Sequence, residues 1–395
     1  MSDENDAAGT TRRDMVEYGG AILAGGLLAG CTGAESDSDA ESTAAADGED
    51  DAGDSSAYEV CMEPAGCLEF DEVPETYVTY KEAWAEMGVA LGVGDRLAAT
   101  DLGYGAVDRL NELFYEQLPG VSFPTAGDGV VDIRGGGDAV DKEVFYEIDA
   151  DVHLMDPNLP RVYFDWSDDE TAEIDQNVAP FFGNFIRRER DDAWGDDYEF
   201  YTLYEAFETV AKLFQREERY EAFATLHDEM LETIDARLPP EDERPAIGLL
   251  NGGSDPANGT FYVMDIADAG YEMKQYRDLG IKNAFEGAET GEHGKVDYET
   301  LLEYDPDQLF IHWGITHSES EFYETYVRPM EEGSTGQQLT AVQNDAVYPA
   351  GTAEQGPITN LFQTEMLARD QYPEEFGGEQ LFDRQRVADI VTGDL

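Results

Sequence analysis

Basic side chains are scarce in this chain: 24 Lys and Arg stand against 88 Asp and Glu, for a formal net charge of -64. Like charge therefore excludes nucleic acid as a partner and makes an anionic membrane surface a poor one. Three cysteines are too few for a disulfide scaffold. Of the five histidines, His153, His227 and His293 show no converging pattern, and His312 and His317, five apart, would need a third and fourth ligand from elsewhere, so no protein-bound metal is expected. Long apolar runs are missing as well, since the stretch from Tyr18 to Gly30 falls well short of the roughly 20 residues that span a bilayer. Also absent are a Gly-x-Ser-x-Gly elbow, a phosphate loop and a His-Glu-x-x-His signature, and acid pairs such as Asp168-Asp169 are too common here to nominate for acid-base work. No enzymatic activity is expected.

Aromatics, by contrast, are plentiful, with 21 Tyr, 19 Phe and 4 Trp, and apolar periodicity runs through most of the chain. That composition predicts a packed protein with its acids on the surface rather than disorder. Such a surface repels itself in dilute buffer and is screened in concentrated salt, where the Debye length falls to about 3 Å at 1 M, so a halophilic protein of haloarchaeal type is expected. Thr11-Arg12-Arg13-Asp14-Met15 ahead of the short apolar stretch resembles a twin-arginine (Tat) export signal, and Leu28-Ala29-Gly30-Cys31 resembles a lipobox. Residues 1–31 are thus expected to be a lipoprotein signal with Cys31 as the lipidated residue, and 32–57 an acidic tether. The protein is placed on the outer face of the cell membrane. In that oxidising setting Cys61 and Cys67 form a disulfide or stay free, with both alternatives open.

The folded part divides into a first lobe (58–198), a connecting region (199–240) and a second lobe (241–395). Thr76 to Tyr80, Arg96 to Thr100 and Val152 to Met155 read as strands; Lys81 to Leu91, Gly105 to Gln117 and Lys142 to Ile148 read as helices. Leu203, Phe207, Val210, Phe214, Phe223, Leu226, Met230 and Ile234 keep helical spacing until Pro239-Pro240, as one rod or as two helices parted near Arg216-Glu217-Glu218-Arg219. The rhythm then repeats, with strands at Ala246 to Leu250 and Gln308 to His312 and helices near Ile266 to Leu279 and Tyr298 to Tyr304. Glu143 to Asp151 aligns with Glu299 to Asp307, acid upon acid, which points to a duplicated unit. The expected fold class is α/β: two Rossmann-like lobes, each a mainly parallel sheet flanked by helices, joined by a long rigid α-helix.

Ligands of open α/β sheets bind beyond the carboxyl ends of the strands. Strand-end loops accordingly nominate Tyr80, Trp84, Tyr104, Asn158, Arg187 and Arg188 from the first lobe, with Lys81 beside them. From the second they nominate Tyr262, Lys274, Tyr276, Arg277, His312, Trp313 and His317. Where cations are so few, the pairs Arg187-Arg188 and Lys274 with Arg277 suit an anionic ligand with a bulky organic body, although each cation could equally neutralise a neighbouring acid.

Ala90-Leu91-Gly92-Val93-Gly94-Asp95-Arg96, Asp297-Tyr298-Glu299 to Asp305-Pro306-Asp307, Ala341 to Pro349 and Gly356-Pro357-Ile358 occur in an order that resembles the substrate-binding proteins of ABC importers for iron-siderophores, haem and cobalamin. The resemblance covers Pro74 to Leu381 and departs from the family at Ala150, where proline is usual. It implies an extracellular solute receptor that captures a ferric siderophore or similar metal chelate and delivers it to a membrane permease with a cytoplasmic ATPase. A cobalamin or haem receptor is the close alternative, and a metal-holding or electron-transfer lipoprotein the distant one. It also implies that Glu143 and Glu299 dock on arginines of the permease, that the protein is a monomer with no resident cofactor, and that its lobes rock by only a few degrees.

Overall fold

In a computed structural model the chain is described over residues 57–394, apart from 103–105, 136, 138, 189–193, 195–197 and 353. The expected signal, Cys31 and the tether up to 56 lie outside the described residues, as does Tyr104.

An antiparallel hairpin of β1 (Tyr58–Met62) and β2 (Gly66–Phe70) comes first, and Cys61 and Cys67, opposite each other in register, are disulfide-bonded. The first sheet has β3 (Tyr77–Thr79), β4 (Leu97–Thr100), β5 (Val131–Asp132) and β6 (Val152–Leu154), all parallel, in the order β5-β4-β3-β6. Its helices are α1 (Glu82–Ala90), α2 (Ala106–Leu113), α3 (Lys142–Ile148), α4 (Leu159–Tyr163) and α5 (Asp168–Asn177). Beyond β6, the segment Phe181 to Phe185 adds a single parallel bridge, His153 to Phe181.

The connector is two helices, α6 (Leu203–Leu213) and α7 (Glu217–Asp235), packed on each other rather than drawn out as one rod. Gln215 between them sits at φ 52, a left-handed conformation that no continuing α-helix accommodates.

The second sheet holds β7 (Ala246–Asn251), β9 (Lys282–Asn283), β11 (Leu309–His312) and β12 (Val347–Ala350), again all parallel, in the order β12-β11-β7-β9; β8 (Phe261–Tyr262) and β10 (Lys295–Val296) form a small antiparallel ribbon. Around it stand α8 (Lys274–Asp278), α9 (Tyr298–Tyr304), α10 (Glu319–Phe322), which continues through a π turn into α11 (Arg328–Glu332), and α12 (Thr340–Gln343). Last come α13 (Pro357–Gln371), α14 (Pro373–Phe376) and α15 (Arg384–Thr392). Although they belong to the stretch assigned to the second lobe, α13 and α15 pack against α1 and the connector.

The duplicated unit is visible in the caps. Asp141 caps α3 by accepting from Glu143 N at 3.0 Å, and Asp297 caps α9 by accepting from Glu299 N at 3.0 Å. At the other ends Asp149 and Asp305 both adopt the left-handed conformation, at φ 51 and 37.

The helix expected over Ile266 to Leu279 is realised only as a 3-10 turn and α8. Its first half is otherwise engaged: Tyr271 N donates to Ile186 O at 3.1 Å and Glu272 N to Arg187 O at 3.2 Å, so the backbone bonds the first lobe instead of itself. Gly270 permits the approach, since a Cβ there would lie 1.9 Å from Arg187 O.

Strand alternation divides the core. Tyr77, Leu154, Leu249 and Phe310 face one cluster shared with α1, α6, α7 and α13, whereas Val78 and Met155 face a first-lobe cluster, and Leu250, Leu309 and Ile311 a second-lobe cluster. Both faces of each sheet are therefore buried, which explains why the strands read as unbroken apolar runs.

One buried acid ties the lobes together inside that shared layer. Glu86 of α1 accepts from Thr359 N at 2.7 Å and from the Thr359 hydroxyl, capping α13 from across the lobe boundary. Gly356 lets the two helices meet, because a Cβ there would stand 2.6 Å from the Glu86 Cβ. Burial pushes the Glu86 carboxyl up to about 7, from 4.5, against the pull of the Thr359 hydrogen bonds. The folded state therefore binds this proton more tightly than the unfolded chain, and the residue's contribution to stability is lost as pH rises from 4.5 through 7. Glu86→Gln keeps the acceptor and removes the titration. Its unfolding free energy, measured in denaturant, should gain on the parent protein between pH 5 and pH 8 by on the order of 3 kcal/mol; a gap that stays constant with pH would refute this account of Glu86.

Candidate functional site

Strand order locates the site. Each sheet has a point where the chain's progress reverses, between β3 and β6 in the first and between β7 and β11 in the second, and such switch points open a crevice beyond the carboxyl ends. The residues just past those ends are Tyr80 and Lys81, Met155 and Asp156, Gly252, and Trp313. The two crevices meet at one junction, where Lys81 Nζ lies 3.6 Å from Glu354 Oε1 and Arg109 of α2 donates to Ile315 O at 3.3 Å.

The floor of the junction is a buried ion cluster. Arg187, 6% exposed, donates through Nη2 to Glu272 Oε1 at 2.7 Å and places Nη1 3.3 Å from Glu354 Oε1. Arg188 Nε lies 3.5 Å from Glu272 Oε2, and His312 Nε2 lies 3.4 Å from Glu272 Oε1. The Tyr271 hydroxyl donates to Glu354, and Gln355 donates to Tyr271 O. Burial works against the charges of Arg187 and Lys81, but the facing glutamates outweigh it and leave both pKa values raised. Burial likewise opposes the Glu272 carboxylate, and Arg187 with His312 more than offsets it, holding the group below the usual carboxylate range. Glu82, at the first turn of α1, is pushed up to about 8 by burial and by Glu354.

Of the residues nominated from the sequence, the structure brings Tyr80, Arg187, Arg188, His312 and Trp313 to this junction. The Tyr80 hydroxyl accepts from Arg134 Nη2 at 2.6 Å, and Lys81 Nζ stands 4.4 Å from the Tyr80 ring centre. Trp313 takes φ 73, rare for a bulky side chain, directly after β11, and its ring lies 5.7 Å from the Arg187 guanidinium. Its indole Nε1 is buried without a hydrogen-bond partner. Tyr163 adds an aromatic edge that the sequence reading did not nominate: 37% exposed, it stacks on Phe185 at 5.8 Å and packs against Tyr80.

Other nominees are placed elsewhere. Trp84 and Tyr276 are core residues of the shared cluster, 4% and 1% exposed. Asn158 closes the turn after β6 on Asp156, and its side-chain oxygen accepts from Arg161. Lys274 pairs with Asp278 at 2.6 Å and Arg277 donates to the carbonyls of Asp268 and Ala269, both lining a cavity beside α6 and α7 with Tyr204, His227 and Tyr271. Tyr262 sits half-buried on the β8–β10 ribbon, and His317 packs edge-on against Tyr326. Glu143 and Glu299 are exposed in the first turns of α3 and α9.

Glu272 and Glu354 were the residues missed. The usable signals were faint: Glu272 stands between the apolar Tyr271 and Met273, and Glu354 sits just ahead of Gly356-Pro357. Removing the shared cation tests the cluster. Arg187→Met strands two buried carboxylates and should cost about 3 kcal/mol or more in unfolding free energy, whereas Arg187→Met with Glu272→Met should recover a substantial part of it. With Glu272→Met measured as well, a double-variant loss equal to the sum of the two single losses would show that the pairing carries no coupling.

Comparison with known proteins agrees with this architecture. Residues 161–352 match the family described as periplasmic binding protein. No curated protein matches the chain in sequence. Among solved structures the chain is similar to the iron uptake ABC transporter substrate-binding protein PiuA of Streptococcus pneumoniae, at 18% identity over 80% of this chain and 99% of that one, with a TM-score of 0.52. It is similar to CeuE of Helicobacter pylori, solved with Ni(II) bound, at 13% identity over 86% and 96%, TM-score 0.56. The petrobactin-binding protein YclQ of Bacillus subtilis follows at 14% identity over 80% and 99%, TM-score 0.54. The chain therefore has the two-lobed α/β fold of the periplasmic binding proteins, with that family's sequence pattern over residues 161–352.

Proposed function

We propose that this protein is the extracellular solute-binding subunit of an ABC importer, lipid-anchored through Cys31 after twin-arginine export, which captures a ferric siderophore or a similar metal chelate and hands it to a membrane permease. The observation that carries the reading is the meeting of two parallel sheets at their switch points, where Tyr80, Arg187, His312 and Trp313 line one junction. The similar structures point the same way, being an iron uptake substrate-binding protein, a petrobactin-binding protein and a protein solved with Ni(II) bound. Metal here is cargo inside an organic ligand. Among the described residues, the one group of three potential metal ligands is Glu59, Cys61 and Cys67, whose sulfurs are consumed in the disulfide, so the metal-holding alternative gains no support.

Glu143 and Glu299 suit the docking role because duplicated helices present them alike. Both are exposed and both follow an aspartate cap, so two matched carboxylates are offered to the permease. Ligand binding is read by thermal shift in molar salt against ferric chelates, cobalamin and haem, and uptake by cells carrying the permease. At least one chelate should raise the melting temperature. Glu143→Ala with Glu299→Ala should abolish uptake and leave that shift intact; loss of the shift in the double variant would mean that the docking surface has been misassigned.

A further inference from the structure

We infer that the chelate held at this junction is uncharged or carries at most one negative charge, and that Glu272 and Glu354 set this preference; the inference rests on the function proposed above. The sequence alone suggested the opposite, an anionic ligand drawn to scarce cations. In the structure those cations are already matched. Arg187 has Glu272 at 2.7 Å and Glu354 at 3.3 Å, Lys81 has Glu354 at 3.6 Å, and Arg188 has Glu272 at 3.5 Å. Arg134, the next basic group along the first sheet, meets Asp101 at 2.7 Å. Three cations of the floor, Lys81, Arg187 and Arg188, thus face the carboxyls of Glu272, Glu354 and Glu82. Even with Glu82 protonated, which its burial favours, a single positive charge is left over.

A trianionic chelate has two ways to bind here, and both are unfavourable. It can leave the pairs intact and set three negative charges beside Glu272 and Glu354. Alternatively it can draw Arg187 and Lys81 toward itself and strand two buried carboxylates, of which Glu272 is 1% exposed. What the junction leaves unpaired is uncharged: the indole N–H of Trp313, buried without a partner, with the part-exposed ring of Tyr163 packed beside Tyr80. A neutral organic body with hydrogen-bond acceptors on its rim fits both.

The test compares ferric complexes of similar size and different charge, a neutral trihydroxamate and a trianionic tricatecholate, by quenching of tryptophan fluorescence in molar potassium chloride. The neutral complex should bind at least about tenfold more tightly. Glu354→Gln should improve the tricatecholate relative to the trihydroxamate by roughly tenfold. Retained binding of the neutral complex also shows that the variant is folded; if it does not fold, the ratio in the parent protein decides. Tighter binding of the trianion, or a ratio indifferent to Glu354→Gln, overturns the inference and leaves the receptor function standing. Failure to bind any ferric chelate, cobalamin or haem overturns both.

Discussion

A guanidinium taken out of water must keep its counter-ions, and Arg187 finds them on two segments remote in sequence, Glu272 on the way into α8 and Glu354 just ahead of α13. That requirement fixes where three parts of the chain can lie. Residues 186–188 run against 270–272 with backbone hydrogen bonds, Gly270 must be glycine-small, and the start of α13 is drawn to the same point. Replacing such a cluster with apolar residues of the same volume is often neutral or stabilising, so its value lies less in net stability than in register. Apolar packing alone would allow the lobes to slide on their shared core; a fork with two specified acceptors does not.

Much of the fold was legible because local chemistry and tertiary demand agree there. Lys142 to Ile148 and Tyr298 to Tyr304 were read as helices with those same bounds, since an aspartate precedes each and an aspartate able to adopt the left-handed conformation ends each. The strands β3, β4, β6, β7 and β11 were visible as short apolar runs. Legibility failed where bonds are made over long range. Ile266 to Leu279 has helical spacing, yet its first backbone donors serve Ile186 and Arg187. The single rod was unsettled for a different reason: the apolar stripe continues across Gln215, and only the backbone angle shows that the axis does not.

The site was half legible. Scarcity made the cations conspicuous, and Arg187, Arg188 and Lys81 do converge at the junction. Their partners were invisible, because two buried glutamates among 88 acids carry no compositional mark. Aromatics were ambiguous for the opposite reason: Trp84, Tyr276 and Trp313 are alike as residue types, and only their elements separate core from rim. Trp84 lies on α1, all of whose residues are buried, whereas Trp313 follows a strand end with a strained backbone.

An overwhelmingly acidic surface and a balanced interior are two answers to the same physics. Surface charges in concentrated salt act over about 3 Å, so they serve solvation and do little to steer or select a ligand. The buried charges under the junction are screened by that salt much less than the surface ones. In concentrated salt, charge is least screened where ions from the medium do not reach, which is where Arg187, Glu272, Glu354 and Lys81 are found. The same seclusion keeps Glu82 and Glu86 toward their protonated forms, so that an acidic chain avoids filling its own lobe boundary with like charge.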